Sequence, residues 1–102
     1  MFSLIARFHL KNEEAAEGFD ELVSQLVPRI TEREPRALVY VCHRVGGDPL
    51  ERIFYELYAD RAAFDAHERQ PHMLHFFKEC EQYLTGREVD FLTPTVSKGV
   101  DG

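Results

Sequence analysis

A chain of 102 residues is the length of one domain, and a domain of that size buries roughly two-thirds of the surface its unfolded chain exposes, so a real core is available. Hydrophobic residues at 44% and charged residues at 29% are ordinary globular values and exclude a chain that is disordered throughout. The formal charge of −6 comes from 12 Lys and Arg scattered among 18 acids, which leaves no basic stripe for nucleic acid or for an anionic membrane.

The expectation is a single domain over residues 1–97 followed by a flexible C-terminal tail, 98–102. Cys42 and Cys80 stand alone, without disulfide-framework density or CxxC spacing, which fits a reducing cytoplasm. No signal-type segment opens the chain, and no stretch approaches the ~20 apolar residues that span a bilayer.

In chain order, Phe2 to Leu10 alternates as a first strand, with Phe2, Leu4, Ala6, Phe8 and Leu10 on one face. Asn12 reads as a helix N-cap with Glu13 and Glu14 in the first turn, and Ala15, Phe19, Leu22, Val23, Leu26, Val27 and Ile30 form an apolar stripe. Pro28 falls inside that stripe and predicts a kink or an early end, with Pro35 as the final stop. Ala37 to Val45 is a second strand, Gly46 to Pro49 a turn, and Leu50 to Ala59 a third strand, so the two form an antiparallel hairpin. Asp60 caps a short helix over 61–69, and Pro71 opens another over 71–84, which Gly86 closes in a left-handed conformation. Glu88 to Val96 is the last strand, placed at an edge by Pro94.

This order predicts an α+β, ferredoxin-like β-α-β-β-α-α-β fold. It has a four-stranded antiparallel sheet, helices on one face, and the first and third strands in the centre. Ile53, Tyr55, Leu57 and Ala59 on the third strand, Ile5 on the first and Val89 and Phe91 on the last are assigned to the face without helices. A second copy is the economical cover for an apolar face of that kind.

The stretch from Tyr55 to Phe77 carries the unusual chemistry. Alternation puts Phe54, Glu56 and Tyr58 under the helices, where a carboxylate is costly to bury unless it is hydrogen-bonded or paired, and His67, His72 and Tyr58 are the nearest candidates. A Glu beside a His fixes its tautomer and suits it to proton transfer near neutral pH. The alternative is a Glu56 at a wet rim or in one structural bond. His67-Glu68-x-x-Pro71-His72 departs from the zinc-protease motif, with spacing five and a helix-breaking proline. His72 and His75, three apart, read more simply as ordinary helix residues than as metal ligands. Phe19, Phe64, Phe76 and Phe77 recur at helical spacing, as a core does. No Gly-rich phosphate loop and no nucleophile elbow is present.

Tyr55-Glu56-Leu57-Tyr58-Ala59-Asp60, then Ala62-Ala63-Phe64-x-x-His67 and Pro71-His72-Met73, resembles the antibiotic biosynthesis monooxygenase (ABM) family of dimeric α+β barrels, and the resemblance runs over nearly the whole chain. It implies a homodimer with two sheets packed face to face and a ligand cavity between sheet and helices. For many members it also implies oxygenation of electron-rich phenols, quinols or naphthols by dioxygen, with no flavin, haem or metal cofactor. A haem-degrading branch carries Asn, Trp and a haem-ligating His where Ala6, His67 and Phe76 stand here, and this chain contains no Trp. Other relatives in fold are isomerases on small carbonyl compounds.

The resulting expectation is a cofactor-independent monooxygenase for a small aromatic substrate. His72 or His67 is the base, with His72 preferred because Pro71 fixes it at a helix start. Glu56 orients that His, Tyr58 bonds a substrate oxygen, and Phe8, Phe19, Phe54, Phe64 and Phe76 wall the ring. An isomerase or lyase using the same His/Glu pair, and a non-catalytic small-ligand-binding dimer, are the alternatives.

Overall fold

The alternating residues at the N-terminus form β1 (Phe2–Leu10), and a computed structural model describes the chain over residues 1–100. After it come α1 (Glu13–Arg33), β2 (Ala37–Val45), β3 (Asp48–Tyr58), α2 (Arg61–Glu68), α3 (Pro71–Cys80), a single 3₁₀ turn (Glu81–Tyr83) and β4 (Leu84–Leu92). The sheet order is β2-β3-β1-β4, antiparallel throughout, with β1 and β3 in the centre and β4 at an edge as expected. Of the expected tail, residues 101 and 102 lie outside the described residues. Among those described, no helix is long and apolar enough to cross a membrane.

The caps read from the sequence are in place. Asn12 accepts from the backbone N–H of Ala15 at 2.8 Å, and Asp60 accepts from that of Ala63 at 2.8 Å, each satisfying one orphan donor of its helix. Phe19, Val23, Leu26 and Ile30 of α1 are buried against Leu4, Ala6, Phe8 and Phe54 of the sheet. The expected early end of α1 does not occur. Pro28 and Ser24 are both exposed, so the carbonyl that Pro28 leaves unpaired lies on the solvent side, while Ile30 on the opposite side keeps the helix packed to Arg33.

Two boundaries differ from expectation. The β2–β3 connection is a two-residue turn, Gly46-Gly47, in which Gly47 has φ +80, so Asp48 and Pro49 already belong to β3. At the far end, α3 stops at Cys80, and β4 starts at Leu84. Gly86 is therefore a strand residue rather than a left-handed cap, and Pro94 lies beyond the strand. The early stop is set by packing. The carbonyl of Tyr83 accepts from the backbone N–H of Lys11 at 3.0 Å, and the Tyr83 ring lies on α1 at Gly18, where a Cβ would come within 2.5 Å of Cε1.

The register corrects the assignment of faces. Val89 pairs with Ala6 and Phe91 with Leu4, so both side chains belong to the helix-covered face rather than to the open one. A strand's alternation tells which residues share a face; only pairing tells which face that is. The open face keeps Ile5 and Val41, 37% and 39% exposed, with Val39, Ile53 and Tyr55 beside them. Leu57, on the same face, is only 2% exposed within one chain. At one end of this face Glu51 accepts from Arg7 at 2.9 Å and meets His9 Nδ1 at 2.6 Å, while His9 Nε2 meets Glu88.

Under the helices, Arg52 ties β3 to α1. Its side chain is 5% exposed, its Nε and a terminal nitrogen donate to Asp20 at 2.8 and 3.0 Å, and its other terminal nitrogen donates to the carbonyls of Pro49 and Glu51. Asp20→Ala would strand that guanidinium; because Asp20 is itself partly exposed, the loss expected in denaturant unfolding is about 2 kcal/mol rather than the full value for a dry pair. An unchanged midpoint would show that the two carbonyls suffice.

Candidate active site

The candidate site is built around a residue with no place in the expected constellation. Glu34 is the C-cap of α1, four residues after Ile30, where it continues the buried stripe with a carboxylate. Its Oε1 lies 2.7 Å from His67 Nδ1 and its Oε2 lies 2.5 Å from His72 Nε2, so one acid holds a histidine from α2 and another from α3. Burial pushes the Glu34 carboxyl up, but the hydrogen bonds from His67 and His72 outweigh it and hold the group below the ordinary range. When the His67 ring is neutral, the Glu34 carboxylate keeps its proton on Nδ1, which leaves Nε2 as a lone pair on the side of Glu56.

Glu56 stands on that side. Its Oε1 is 3.8 Å from His67 Nε2 and accepts from the Tyr58 hydroxyl at 2.6 Å. Burial pushes its pKa up to about 7, with the Tyr58 hydrogen bond and the charge of His67 pulling partly back. Tyr58 and Tyr40 are both raised, by burial first and by the charge of Glu56 next, so each keeps its proton in neutral solution.

Glu34, which the expected constellation does not include, bonds both histidines, so His72 meets Glu34 and not Glu56, while Glu56 has its expected place beside His67 at 3.8 Å. The signal for Glu34 was its position in the α1 stripe, four residues after Ile30; standing at a helix end before Pro35, it has no part in the expected site.

A cavity of about 120 Å³ opens over this group between the sheet and α2 and α3. Phe8, Phe64 and Phe76 wall it, Glu56, His67 and Tyr40 supply its polar floor, and Val89, Phe91 and Arg87 of β4 border it. Phe91 is 61% exposed and forms its open side. Tyr40, Val89, Phe91 and Arg87 were missed as site residues, the last three because the start and face of β4 were displaced. Phe19 and Phe54 are fully buried at 0% exposure and pack edge-on at 6.1 Å within the aromatic core, behind the wall rather than on it. Tyr58 is also at 0% and touches the cavity through Glu56. Among the described residues no group of His, Cys, Asp and Glu is arranged to hold a metal ion.

The antibiotic biosynthesis monooxygenase family profile matches residues 1–79. The chain belongs to that family. A solved structure described as an antibiotic biosynthesis monooxygenase is 27% identical over 94% of this chain and 100% of its own, with a TM-score of 0.85. A protein from Mycobacterium tuberculosis is 25% identical, covering 97% and 98% of the two chains, at 0.84. One from Pseudomonas aeruginosa is 25% identical, covering 93% and 94%, at 0.83. No curated protein matches. The family match bears out the expected family and fold, and it supports monooxygenase activity in general terms.

The raised Glu56 makes a prediction of definite sign. Its pKa in the folded chain lies above that of an ordinary carboxyl, so the folded state keeps a proton between about pH 4.5 and 7 that the unfolded state has lost. Stability contributed at this residue therefore falls as pH rises through that window, by about 3 kcal/mol once the charge is fully carried. Glu56→Gln removes the charge and can still accept from Tyr58. It should be nearly as stable as the parent at about pH 5 and more stable by roughly 2–3 kcal/mol at about pH 8 in urea unfolding. An equal difference at both pH values would contradict a raised Glu56.

Proposed function

We propose that this chain is a monooxygenase that oxidises a small electron-rich phenol or quinol with dioxygen, the organic substrate supplying the electrons. The observation that carries the reading is the small aromatic-walled cavity holding two buried proton acceptors, Glu56 and His67, in a chain of this family. At about 120 Å³ the cavity is somewhat smaller than the apolar cavity of about 150 Å³ that admits benzene, so a single ring would fill it and reach its open side at Phe91. The second ring of a naphthol would extend past Phe91 at the open side.

With the ring between Phe64 and Phe76, the phenolic hydroxyl faces His67 Nε2, which takes the proton while Glu34 steadies the imidazolium through Nδ1. The phenolate passes one electron to dioxygen, the two radicals join at a ring carbon, and loss of water from the hydroperoxide leaves a carbonyl. One O–H and one ring C–H bond break, one oxygen atom enters the ring, and the other leaves as water with two hydrogens. The four electrons come from converting the phenol to the quinone, so no external reductant is consumed. Glu56, with its pKa near neutrality, accepts or returns the second proton.

His67 is the base in this scheme rather than His72, because His67 borders the cavity while Nε2 of His72 points to Glu34. Oxygen uptake against a panel of phenols, quinols and naphthols tests the scheme, with labelled dioxygen placing one atom in the product. His67→Ala should lower kcat about a hundredfold or more with the circular dichroism spectrum unchanged. Turnover in the absence of oxygen, or full activity in His67→Ala, would sink it.

The proposal includes a homodimer through the open sheet face, supported by the partly exposed Ile5, Val41, Ile53 and Tyr55 there. Val41→Glu places a charge at an exposed position of that face, unlike Leu57, whose burial within one chain makes it a probe of folding. Light scattering should give a dimer for the parent and a monomer for Val41→Glu. A parent that is monomeric at micromolar concentration would remove the dimer from the proposal.

A further inference from the structure

A second hollow lies on the other side of the histidine pair, between α1 and α3, and at about 680 Å³ it falls in the range of small-molecule sites. Its floor is apolar, with Leu26 and Phe76 buried beneath it. Its rim is basic. Arg29 and Arg33, one turn apart on α1, face His72 and His75, one turn apart on α3, and no carboxylate lines the hollow itself; that of Glu34 lies behind His72, 2.5 Å from its Nε2. Arg29 has no ion-pair partner among the described residues, and Arg33 meets only the exposed Glu32, at 3.6 Å. The first turn of α3 also opens here, entered from Gln70 with no side-chain cap, so the positive end of its dipole adds to the same field.

We propose that this groove binds a small amphipathic anion, an aromatic or otherwise apolar body carrying a carboxylate or a comparable acidic group. Charge complementarity selects the occupant: the acidic group meets Arg29 and Arg33, and the apolar body lies over Leu26 and Phe76 toward the histidines. The groove shares His72 with the Glu34 bridge and Phe76 with the cavity wall, so an occupant touches one partner of the acid that holds His67 and one wall of the cavity. This is a site apart from the cavity, and it stands whether or not oxygen chemistry is found there.

The test is an NMR titration of the full chain with 1-naphthoate, and with 1-naphthylmethanol as the neutral counterpart of similar shape. Naphthoate should give saturable shifts of the His72 and His75 ring protons, with weaker binding at higher salt and weaker binding of the alcohol. Arg29→Gln with Arg33→Gln, both at exposed positions, should weaken naphthoate by about tenfold or more while leaving the alcohol unchanged. Equal binding of acid and alcohol, naphthoate affinity unchanged in the double variant, shifts confined to cavity residues such as Phe64 and Val89, or no saturable shift at millimolar naphthoate would each overturn the proposal.

Discussion

One carboxylate, that of Glu34, joins the three helices at the point where the chemistry is held. It ends α1, and its two oxygens are each taken by a histidine from a different helix. A buried charge of this kind is tolerated only because each oxygen has a donor, and the buried side-chain polar atoms of the described residues all have partners. The arrangement gives α2 and α3 a common anchor although they pack only lightly on one another. Residues 61–80 can then turn sharply at Gln70-Pro71 and still present His67 inward.

Two carboxylates flank His67 and are driven in opposite directions. Glu34, with two imidazole donors, is held ionised; Glu56, with a phenol and a distant imidazole, is raised by burial to about 7. The difference between them is hydrogen bonding to the charged form, which Glu34 has in excess. A site that separates two like groups in this way keeps one as a fixed counter-ion and leaves the other free to exchange a proton. Such a site also bears a standing penalty at neutral pH. Phe8, Phe19, Phe54 and Phe76 pack ring to ring at 5.2–6.3 Å and offset it.

The fold was largely legible because its signals are local. Alternation in β1, the Asn12 and Asp60 caps, the α1 stripe and the Gly46-Gly47 turn each act within a few residues. What escaped depends on contacts far apart in sequence. The stop of α3 is decided by Tyr83 meeting Gly18 and Lys11, and the inward face of β4 is decided by its pairing with β1. Glu56 and Tyr58 were legible as a buried polar pair on a central strand, and His67 as a neighbour. Glu34 was not, because a carboxylate at a helix end before a proline has the same sequence signature whether it faces water or a histidine. Pro28 shows the converse, a strong local signal overridden by the packing of Ile30 and the exposure of the freed carbonyl.

The Gly46-Gly47 turn lies beyond the packed layers, and a side-chain carbon built at either glycine meets nothing within 4 Å. The flanking strands are secured by their own ladder, and the turn has no contact with the cavity or with the helices. Foreign sequence can therefore enter the chain between Val45 and Asp48, joined by a flexible spacer, at only the slowly growing entropy of a longer loop. A fluorescent reporter or a surface-attachment peptide placed there would ride on the β2–β3 ribbon, away from the cavity.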